Sequence, residues 1–216
     1  MKIIFIISSP RSGSKSLSYT LNNLKNVDNY HVPTELDDYN CKKYLGNLGK
    51  MNSIRANLIK ESQDMKHHYI ENAVCLMYHI NDVILKYPDC KIIHLVRDGR
   101  DFVKSGMSRI WYKKDSQIER IGKISKLWVD NQKKIRENIP KKNYSGVIRM
   151  EDLSKDGVGN FIRKNLKLKF DGNIELLHLH KTKEYTINNW SKWDKNQRDV
   201  VEKIMMEELE FYGYKW

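Results

Sequence analysis

Two short runs of apolar residues stand out in the pattern of hydrophobic and polar positions along the chain. Residues 2–7 and 91–96 are largely apolar and rich in β-branched side chains. Such runs are typical of strands that are buried on both faces of a parallel sheet. Weaker patterns predict three further strands, over residues 30–32, 66–70 and 145–150.

Segments with a helical spacing of apolar residues separate these runs. The spacing predicts helices over residues 17–24, 73–86, 118–139, 161–166 and 194–212, and another helix is expected to follow residues 97–101. Residues 37–60 are polar and carry only a weak helical spacing. Because strands that alternate with helices indicate crossover connections, we predict a single α/β domain over residues 1–216, with helices flanking a central parallel sheet in three layers.

A loop of small residues, residues 8–16, joins the first predicted strand to the first predicted helix. The backbone N–H groups of such a loop and the N-terminus of the following helix point at one anion, which the positive end of the helix dipole favours. Gly13 allows a close approach of the backbone, the serine hydroxyls are further donors, and two basic side chains contribute charge. The candidate anion-binding residues are Arg11, Ser12, Gly13, Ser14, Lys15 and Ser16.

The loop does not follow the strict pattern of nucleotide triphosphatases, G-x-x-x-x-G-K-[ST]. Lys15 and Ser16 match its end, whereas Ser9 and Ser14 stand where that pattern has glycines. The sequence therefore indicates a phosphate loop of another kind, or an ordinary strand-to-helix turn whose serines cap the helix.

Composition narrows the class of protein. The chain has 216 residues, of which 40% are hydrophobic and 31% charged, as in a globular protein that buries a core. An excess of 39 Lys and Arg over 27 Asp and Glu gives a net charge of +12, which suggests an anionic ligand, nucleic acid or an anionic surface. The lysines are scattered rather than clustered, so much of this charge is expected on solvated surface.

The cysteines and the apolar runs bear on the cellular compartment. Cys41, Cys75 and Cys90 are odd in number and lack C-x-x-C spacing, so neither a disulfide framework nor a zinc site is indicated. No apolar run reaches the length of a membrane span, and residues 2–7 are too few for a signal peptide. We expect a soluble cytoplasmic protein with no membrane span and no metal site.

Four signatures follow one another along the chain: P-R-S-G-S at residues 10–14, I-I-H-L-V-R-D-G-R-D-F-V-K-S at residues 92–105, R-M-E-D-L at residues 149–153, and a tryptophan, a helix and G-Y over residues 190–214. In that order they resemble the 5′-phosphosulfate loop, the 3′-phosphate motif, the R-Y-E-D-L strand end and the C-terminal segment of PAPS-dependent sulfotransferases. The resemblance is to the compact bacterial or viral type within the P-loop-like sulfotransferase superfamily. It spans nearly the whole chain.

This resemblance implies an enzyme that transfers a sulfuryl group from PAPS (3′-phosphoadenosine 5′-phosphosulfate) to a hydroxyl or amine acceptor by in-line attack, leaving adenosine 3′,5′-bisphosphate as product. The loop at residues 11–16 would hold the 5′ end of the cofactor. Arg97, with its bidentate fork, and Ser105 would hold the 3′-phosphate. Arg11 stands where the family has a Lys or Arg near the bridging oxygen, which implies stabilisation of the leaving group. No metal is implied.

The general base is expected to be a carboxylate. Many cytosolic family members take their base from a histidine in a K-T-H segment, but the matching residues 70–73 lack both Lys and His. Other members place a glutamate after the second strand, where Glu35 stands, so we predict Glu35 as the base and His31 as its reserve. The structural alternative for Glu35 is a first-turn helix carboxylate that complements the helix dipole.

Two rival functions stay open, a P-loop kinase of a small molecule and a non-catalytic protein that binds a nucleotide or nucleic acid. The missing glycines and Arg97 disfavour the kinase, and no nucleic-acid motif supports the binding protein, so no nucleic-acid partner is expected. Arg97 and Arg100 have a structural alternative as well, as salt-bridge partners of Asp98 and Asp101 on an exposed loop.

The sequence departs from the family pattern at Met150, where the R-Y-E-D-L segment usually has a tyrosine. Whatever that ring contributes around the cofactor must come from elsewhere. The acceptor stays open among small molecules, carbohydrates and protein tyrosines, and the sequence does not define the oligomeric state.

Overall fold

The computed structural model describes residues 1–31, 48–108, 112–153, 155–168 and 189–216. Its strands are β1 (Ile3–Ser8), β2 (Val27–His31), β3 (His68–Ala73), β4 (Lys91–Val96) and β5 (Tyr144–Arg149). They form one five-stranded sheet in the order β2-β3-β1-β4-β5, and every neighbouring pair is parallel. The predicted α/β fold with a central parallel sheet is confirmed.

Helices connect the strands and cover the sheet. The α-helices are α1 (Ser14–Leu21), α2 (Leu48–Asp64), α3 (Ile80–Lys86), α4 (Gly99–Met107), α5 (Gln117–Asn138), α6 (Lys155–Phe161) and α7 (Lys195–Phe211). Shorter helical turns are Cys75–Tyr78, Met150–Asp152, Ile162–Leu166 and Asn189–Lys192. Of the helices that the structure describes, none is both long and apolar enough to span a membrane.

The central strand β1 supplies side chains to the cores on both faces of the sheet. Phe5 and Ile7 belong to one apolar cluster, and Ile4 and Ile6 belong to another, which also contains Leu17 of α1. Consecutive side chains of a strand point to opposite faces, so a strand covered on both sides is apolar throughout. The continuous apolar run at the start of the sequence therefore reflects a sheet with helices on both faces.

A third apolar cluster holds α4, α5 and α7 together beside the sheet. Trp128 is fully buried in it, and its indole N–H donates to the backbone carbonyl of Arg97 at 3.2 Å. Gly99 gives the room for this packing, because a Cβ there would lie 2.9 Å from the Trp128 ring. The cluster thus fixes the end of β4, from which Arg97 projects.

A buried ion pair attaches α2 to β3. Arg55 donates two hydrogen bonds of 2.6 and 2.8 Å to the carboxylate of Glu71, and the Tyr69 hydroxyl donates to the same carboxylate at 2.7 Å. The two charged side chains are only 2% and 5% exposed. Because desolvating a charge is costly, a buried pair persists only when such additional donors satisfy it. Glu71 therefore has a structural role, which is to hold α2 against β3.

Several segments differ from the predicted elements. β3 is His68–Ala73 instead of 66–70, and the helix predicted over 161–166 is α6 at Lys155–Phe161 followed by a short turn. Two further segments differ more. β2 begins at Val27, before the predicted residue 30, and includes the buried Asn29, whose amide donates to the Ser18 carbonyl at 2.8 Å and to Asn22 Oδ1 at 3.0 Å. The region 73–86 is not one helix: it comprises the end of β3, a 3₁₀ turn and α3, which starts only after His79, where φ is −134°. Local patterns miss both features because long-range contacts decide them.

The strand order creates a crevice at the carboxyl edge of the sheet. From β1 the chain builds β2 and β3 on one side, and then crosses to build β4 and β5 on the other. The carboxyl ends of β1 and β4 lie where the order reverses, which is where open α/β sheets bind ligands. The loop after β1 and the Arg97 segment after β4 meet at this point.

Candidate functional site

The loop between β1 and α1 turns through two residues in the left-handed backbone conformation. Arg11 has a φ of 63° and Gly13 a φ of 82°. Gly13 is the N-cap of α1, and no side chain caps the helix through it. The serine-capped turn that was the alternative for this loop is therefore not observed at the N-cap, and the N-terminus of α1 opens on the carboxyl edge of the sheet.

Met150 closes one side of the loop. A Cβ built on Gly13 would lie 2.5 Å from the sulfur of Met150. The residue that replaces the family's usual tyrosine thus packs directly on the loop glycine, and Gly13 is required both for its positive φ and for this contact.

We expect Gly13→Ala to destabilise the protein by about 1–3 kcal/mol, because alanine would add left-handed strain and overlap with Met150. In a Met150→Ala background the overlap is absent and only the strain remains, so the same substitution costs less. Urea unfolding of the four proteins of this cycle measures the difference. Equal costs in both backgrounds would show that Met150 does not restrict the loop.

Direct hydrogen bonds join the two predicted anion-binding segments. Arg97 Nη1 donates to the carbonyl oxygen of Arg11 at 2.9 Å, and Arg11 Nε donates to Ser105 Oγ at 2.9 Å. Arg97 also lies 3.9 Å from the Asp101 carboxylate. Two guanidinium groups and one hydroxyl therefore converge between the carboxyl ends of β1 and β4.

Arg97 keeps its charge in this position. Burial lowers the pKa of Arg97, and the carboxylates of Asp101, Glu151 and Asp98 counteract that shift. Since an arginine is protonated at any physiological pH, the crevice holds a permanent cation after β4.

Arg100 has a structural role instead. Its Nε and Nη2 donate to the two carboxylate oxygens of Asp98 at 2.9 and 2.6 Å, and Asp98 caps α4 by accepting from the Arg100 backbone N–H. The guanidinium lies 3.9 Å from the ring centre of Trp190, and Nη1 donates to the Lys215 carbonyl at 2.8 Å. The salt-bridge alternative thus holds for Arg100 and Asp98, although the pair is buried rather than on an exposed loop.

Glu151 joins three of the four sequence signatures. The backbone N–H of Asp98 donates to one of its carboxylate oxygens at 2.9 Å, and the Tyr214 hydroxyl donates to the other at 2.7 Å. Burial raises the pKa of Glu151, while these two hydrogen bonds lower it. Arg149 adds a hydrogen bond of 3.1 Å to the Gly213 carbonyl. The R-M-E-D-L segment and the C-terminal G-Y therefore support the segment that carries Arg97.

The end of β3 carries no titratable base where many relatives have a histidine. Asn72 stands there, fully buried, and its amide donates to Asn29 Oδ1 at 3.2 Å. The side-chain oxygen of Asn72, Oδ1, has no hydrogen-bond partner among the described residues. An amide does not accept a proton at neutral pH, so Asn72 cannot be a general base.

A row of buried polar side chains runs from the loop into the core behind it. Ser12 Oγ lies 2.9 Å from Ser9 Oγ, and Gln132 Nε2 donates to Ser9 Oγ at 3.0 Å. Gln132 Oε1 lies 2.7 Å from His94 Nε2, and His94 Nδ1 lies 3.5 Å from the Tyr212 hydroxyl. The serines, the glutamine and the histidine are at most 1% exposed.

Sequence reasoning missed this row, although the pattern contained a signal for it. His94 interrupts the apolar run of β4, and Gln132 lies four residues after Trp128 on the buried face of α5. A polar residue at a position that periodicity assigns to the core has to find a hydrogen-bond partner there.

His94 makes the stability of the fold depend on pH. Burial lowers the pKa of His94 to about 4, against the opposing hydrogen bond to Gln132. Because an unfolded histidine has a pKa of about 6.5, its contribution to stability is complete above that pH and is lost as the pH falls towards 4. The loss reaches roughly 2 kcal/mol by about pH 5.

Urea unfolding of the parent and of His94→Gln, at about pH 7.5 and about pH 5, measures this effect. We expect a smaller pH dependence in the variant. His68, whose pKa burial also lowers, is present in both proteins and so cancels in the comparison. Identical pH dependence would show that His94 does not titrate as described.

The remaining predicted site residues are placed as follows. Ser14 and Ser16 lie in the first turn of α1 and are buried, with the partly exposed Lys15 between them. His31 ends β2, but its side chain is outside the part of the chain that the structure describes, and so is all of Glu35. The roles of both as bases stay predictions.

The described carboxylates around this edge of the sheet are bound by donors. Glu71 accepts from Arg55, Asp98 accepts from Arg100, and Arg149 donates to Asp152 at 2.7 and 2.8 Å, while Glu151 accepts from a backbone N–H and a tyrosine as described above. Such pairing suits structural support rather than proton abstraction. Within the described ranges, no group of three His, Cys, Asp or Glu side chains is arranged to hold a metal ion.

A cleft of about 590 Å³ lies at the opposite, amino-terminal edge of the sheet. Lysines dominate its charged lining, namely Lys2, Lys86, Lys91, Lys164 and Lys167. Because it adjoins the first residues of β1 and β4, the whole length of the sheet separates it from the loop at residues 9–13.

Comparison with known proteins identifies the class to which this fold and crevice belong. The model of the sulfotransferase domain family matches residues 3–166 of the chain. The chain belongs to this family, and the resemblance of its sequence signatures to sulfotransferases is confirmed. No curated protein sequence matches the chain significantly.

Solved structures of sulfotransferases share the fold. The sulfotransferase domain of the Synechococcus PCC 7002 olefin synthase is 18% identical with a TM-score of 0.57, over 100% of this chain and 96% of that domain. Mouse sulfotransferase SULT7A1, solved in complex with PAP, is 16% identical with a TM-score of 0.58, over 97% and 85% of the two chains. A sulfotransferase from Alicyclobacillus acidocaldarius is 14% identical with a TM-score of 0.59, over 100% and 97%.

Proposed function

We propose that this member of the sulfotransferase family transfers a sulfuryl group from PAPS to a hydroxyl or amine acceptor. The observation that carries the proposal is the contact between the two anion-binding segments, in which Arg97 binds the Arg11 carbonyl and Arg11 binds Ser105. A cofactor with anionic groups at its 5′ and 3′ ends requires two sets of donors that the fold holds in fixed relation. The mouse relative that was solved with PAP has the same fold, which supports this choice of nucleotide.

The donor chemistry of the crevice fits such a cofactor. Gly13 and the N-terminus of α1 offer backbone N–H groups, and Arg11 and Lys15 add charge for the 5′ end. Arg97 and Ser105 are a bidentate cation and a hydroxyl donor for the 3′-phosphate. The carboxylate nearest to Arg97, that of Asp101 at 3.9 Å, is paired with the guanidinium.

PAPS supplies the sulfuryl group when it is bound. The protein has to stabilise the leaving group and to remove a proton from the acceptor. To Arg11, beside the N-terminus of α1, we assign the stabilisation of the negative charge that develops on the departing phosphate oxygen. Glu35, with His31 in reserve, removes the proton of the acceptor.

The acceptor is a small molecule, a carbohydrate or a protein tyrosine, and no nucleic acid is a partner.

The protein acts in the cytoplasm. The buried free thiol of Cys90 suits a reducing compartment, and burial raises the pKa of this thiol to about 11, so it is unreactive. The whole chain, residues 1–216, acts as one sulfotransferase domain.

Calorimetric titration with adenosine 3′,5′-bisphosphate, 5′-AMP, ATP–Mg²⁺ and DNA tests the proposal. We expect the bisphosphate to bind most tightly, and transfer from PAPS to continue when EDTA removes divalent metal, because Arg11 and Lys15 do what Mg²⁺ does in kinases. Equal affinity for the bisphosphate and 5′-AMP would contradict the 3′ assignment. An absolute requirement for Mg²⁺ would favour the kinase.

A further inference from the structure

We infer that His94 and Gln132 are positioning residues that orient the Ser12 hydroxyl, so that its proton points at the anion in the loop. The inference rests on the proposed function for the identity of that anion, the 5′ end of the nucleotide. It concerns side chains that lie behind the loop, in β4 and α5, and that the anion does not touch.

The row of hydrogen bonds has a direction, and the side-chain amide of Gln132 sets it. An amide oxygen can only accept, and Gln132 Oε1 lies 2.7 Å from His94 Nε2. His94 therefore carries the proton of its neutral imidazole on Nε2. Its unprotonated Nδ1 faces the Tyr212 hydroxyl at 3.5 Å.

The same direction continues to the loop. His94 Nε2–H donates to Gln132 Oε1 at 2.7 Å, so the amide nitrogen of Gln132 faces Ser9 and donates to it at 3.0 Å. Ser9 then has its proton for Ser12, at 2.9 Å. Each member accepts from the residue behind it and donates to the residue in front.

Ser12 is the end of this row, and its proton has no acceptor in the part of the chain that the structure describes. In the direction that Gln132 sets, Ser12 Oγ accepts from Ser9, and the Ser12 side chain is fully buried within the loop. A buried donor without an acceptor is costly, so an anion in the loop satisfies it. The neutral state of His94 is necessary here, because an imidazolium would donate from both nitrogens and break the sequence.

Calorimetric binding of adenosine 3′,5′-bisphosphate to Ser12→Ala, Gln132→Leu and the double variant tests the inference. Ser12→Ala should weaken binding by about tenfold or more, since it removes a hydrogen bond to a charged group. Gln132→Leu should weaken binding by about threefold, because the Ser9 and Ser12 hydroxyls are then free to occupy their three staggered positions. In the Ser12→Ala background, Gln132→Leu should change the affinity no further.

Two variants serve as controls. Asn131→Leu replaces a neighbouring buried amide on α5 that is outside the row, and it should leave the affinity unchanged. Ser9→Ala breaks the row with a smaller change of volume than Gln132→Leu, and it should give the same pattern if that variant does not fold. If Gln132→Leu weakens binding equally in the parent and in the Ser12→Ala background, the inference is wrong, because the Gln132 substitution would then act through packing.

The tautomer of His94 can be measured without a ligand, and it tests the direction of the hydrogen bonds. Nitrogen-15 NMR of the parent should show His94 protonated on Nε2 and unprotonated on Nδ1. A proton on Nδ1 would reverse the row and overturn the inference, whatever the protein binds. The parent protein could instead bind ATP–Mg²⁺ and not the bisphosphate. If His94 is then protonated on Nε2, and if Ser12→Ala and Gln132→Leu weaken the binding of ATP–Mg²⁺ as described above, the proposed function is wrong but this inference stands.

Discussion

Glu35→Gln is expected to lower kcat for sulfuryl transfer by about 10²–10⁴-fold, the usual contribution of a general base. The amide keeps the size and hydrogen-bonding capacity of the glutamate but cannot accept the proton of the acceptor. Affinity for adenosine 3′,5′-bisphosphate and the Tm should stay near those of the parent. Steady-state kinetics, calorimetry and thermal unfolding of the same variant measure all three.

Asp152→Asn is the matched control, because Asp152 is a carboxylate near the crevice whose partner is the side chain of Arg149. We expect its kcat to match that of the parent. If Glu35 only complements a helix dipole, Glu35→Gln will instead lose roughly 0.3–1 kcal/mol of stability and keep its activity. In that case Glu35 is not the base, and His31→Asn becomes the next variant to measure.

Arg97→Ala is expected to weaken the binding of adenosine 3′,5′-bisphosphate by about 1.5–3 kcal/mol, which is roughly 10- to 150-fold. The variant loses the bidentate cation that we assign to the 3′-phosphate. It also loses the 2.9 Å hydrogen bond to the Arg11 carbonyl, so affinity for 5′-AMP should fall as well, but by much less. The ratio of the two dissociation constants is the quantity to measure.

Arg149→Ala separates this effect from a general loss of positive charge. Arg149 also follows a strand at the same edge, β5, but it pairs with Asp152 and the Gly213 carbonyl. The Arg149→Ala variant should keep the parent's preference for the bisphosphate over 5′-AMP. A preference that survives Arg97→Ala, or that disappears equally in Arg149→Ala, would remove Arg97 from the 3′ site.

Local patterns predicted the central strands well and the outer elements less well. Residues 91–96 were predicted as a strand and form β4 with those bounds, and the first strand is displaced by one residue. Both are apolar because helices cover both faces, so their burial is recorded in their composition. β2 contains polar residues such as Asn29, which is buried only because Ser18 and Asn22 accept its amide protons, and no local pattern contains that information.

The site divides in the same way. The sequence singles out the loop at residues 10–14 and the Arg97 segment as candidates, because a phosphate-binding motif fixes residue type at fixed spacing. Their mutual contact depends on the strand order, which periodicity does not determine. The Gln132 and His94 pair could not be predicted, because its members are 38 positions apart and each alone looks like an isolated polar residue in a core.

The hydrogen bond from Arg100 to the Lys215 carbonyl spans 115 positions, and the Tyr214 bond to Glu151 spans 63. During synthesis the chain appears from its N-terminus, at about 5–20 residues per second. The loop and the Arg97 segment are therefore made on the order of 10 s before the residues that lock the segment in place. The crevice is therefore among the last parts of the molecule to reach its final form, and a nascent chain contains all five strands of the sheet well before it contains the residues that support Arg97.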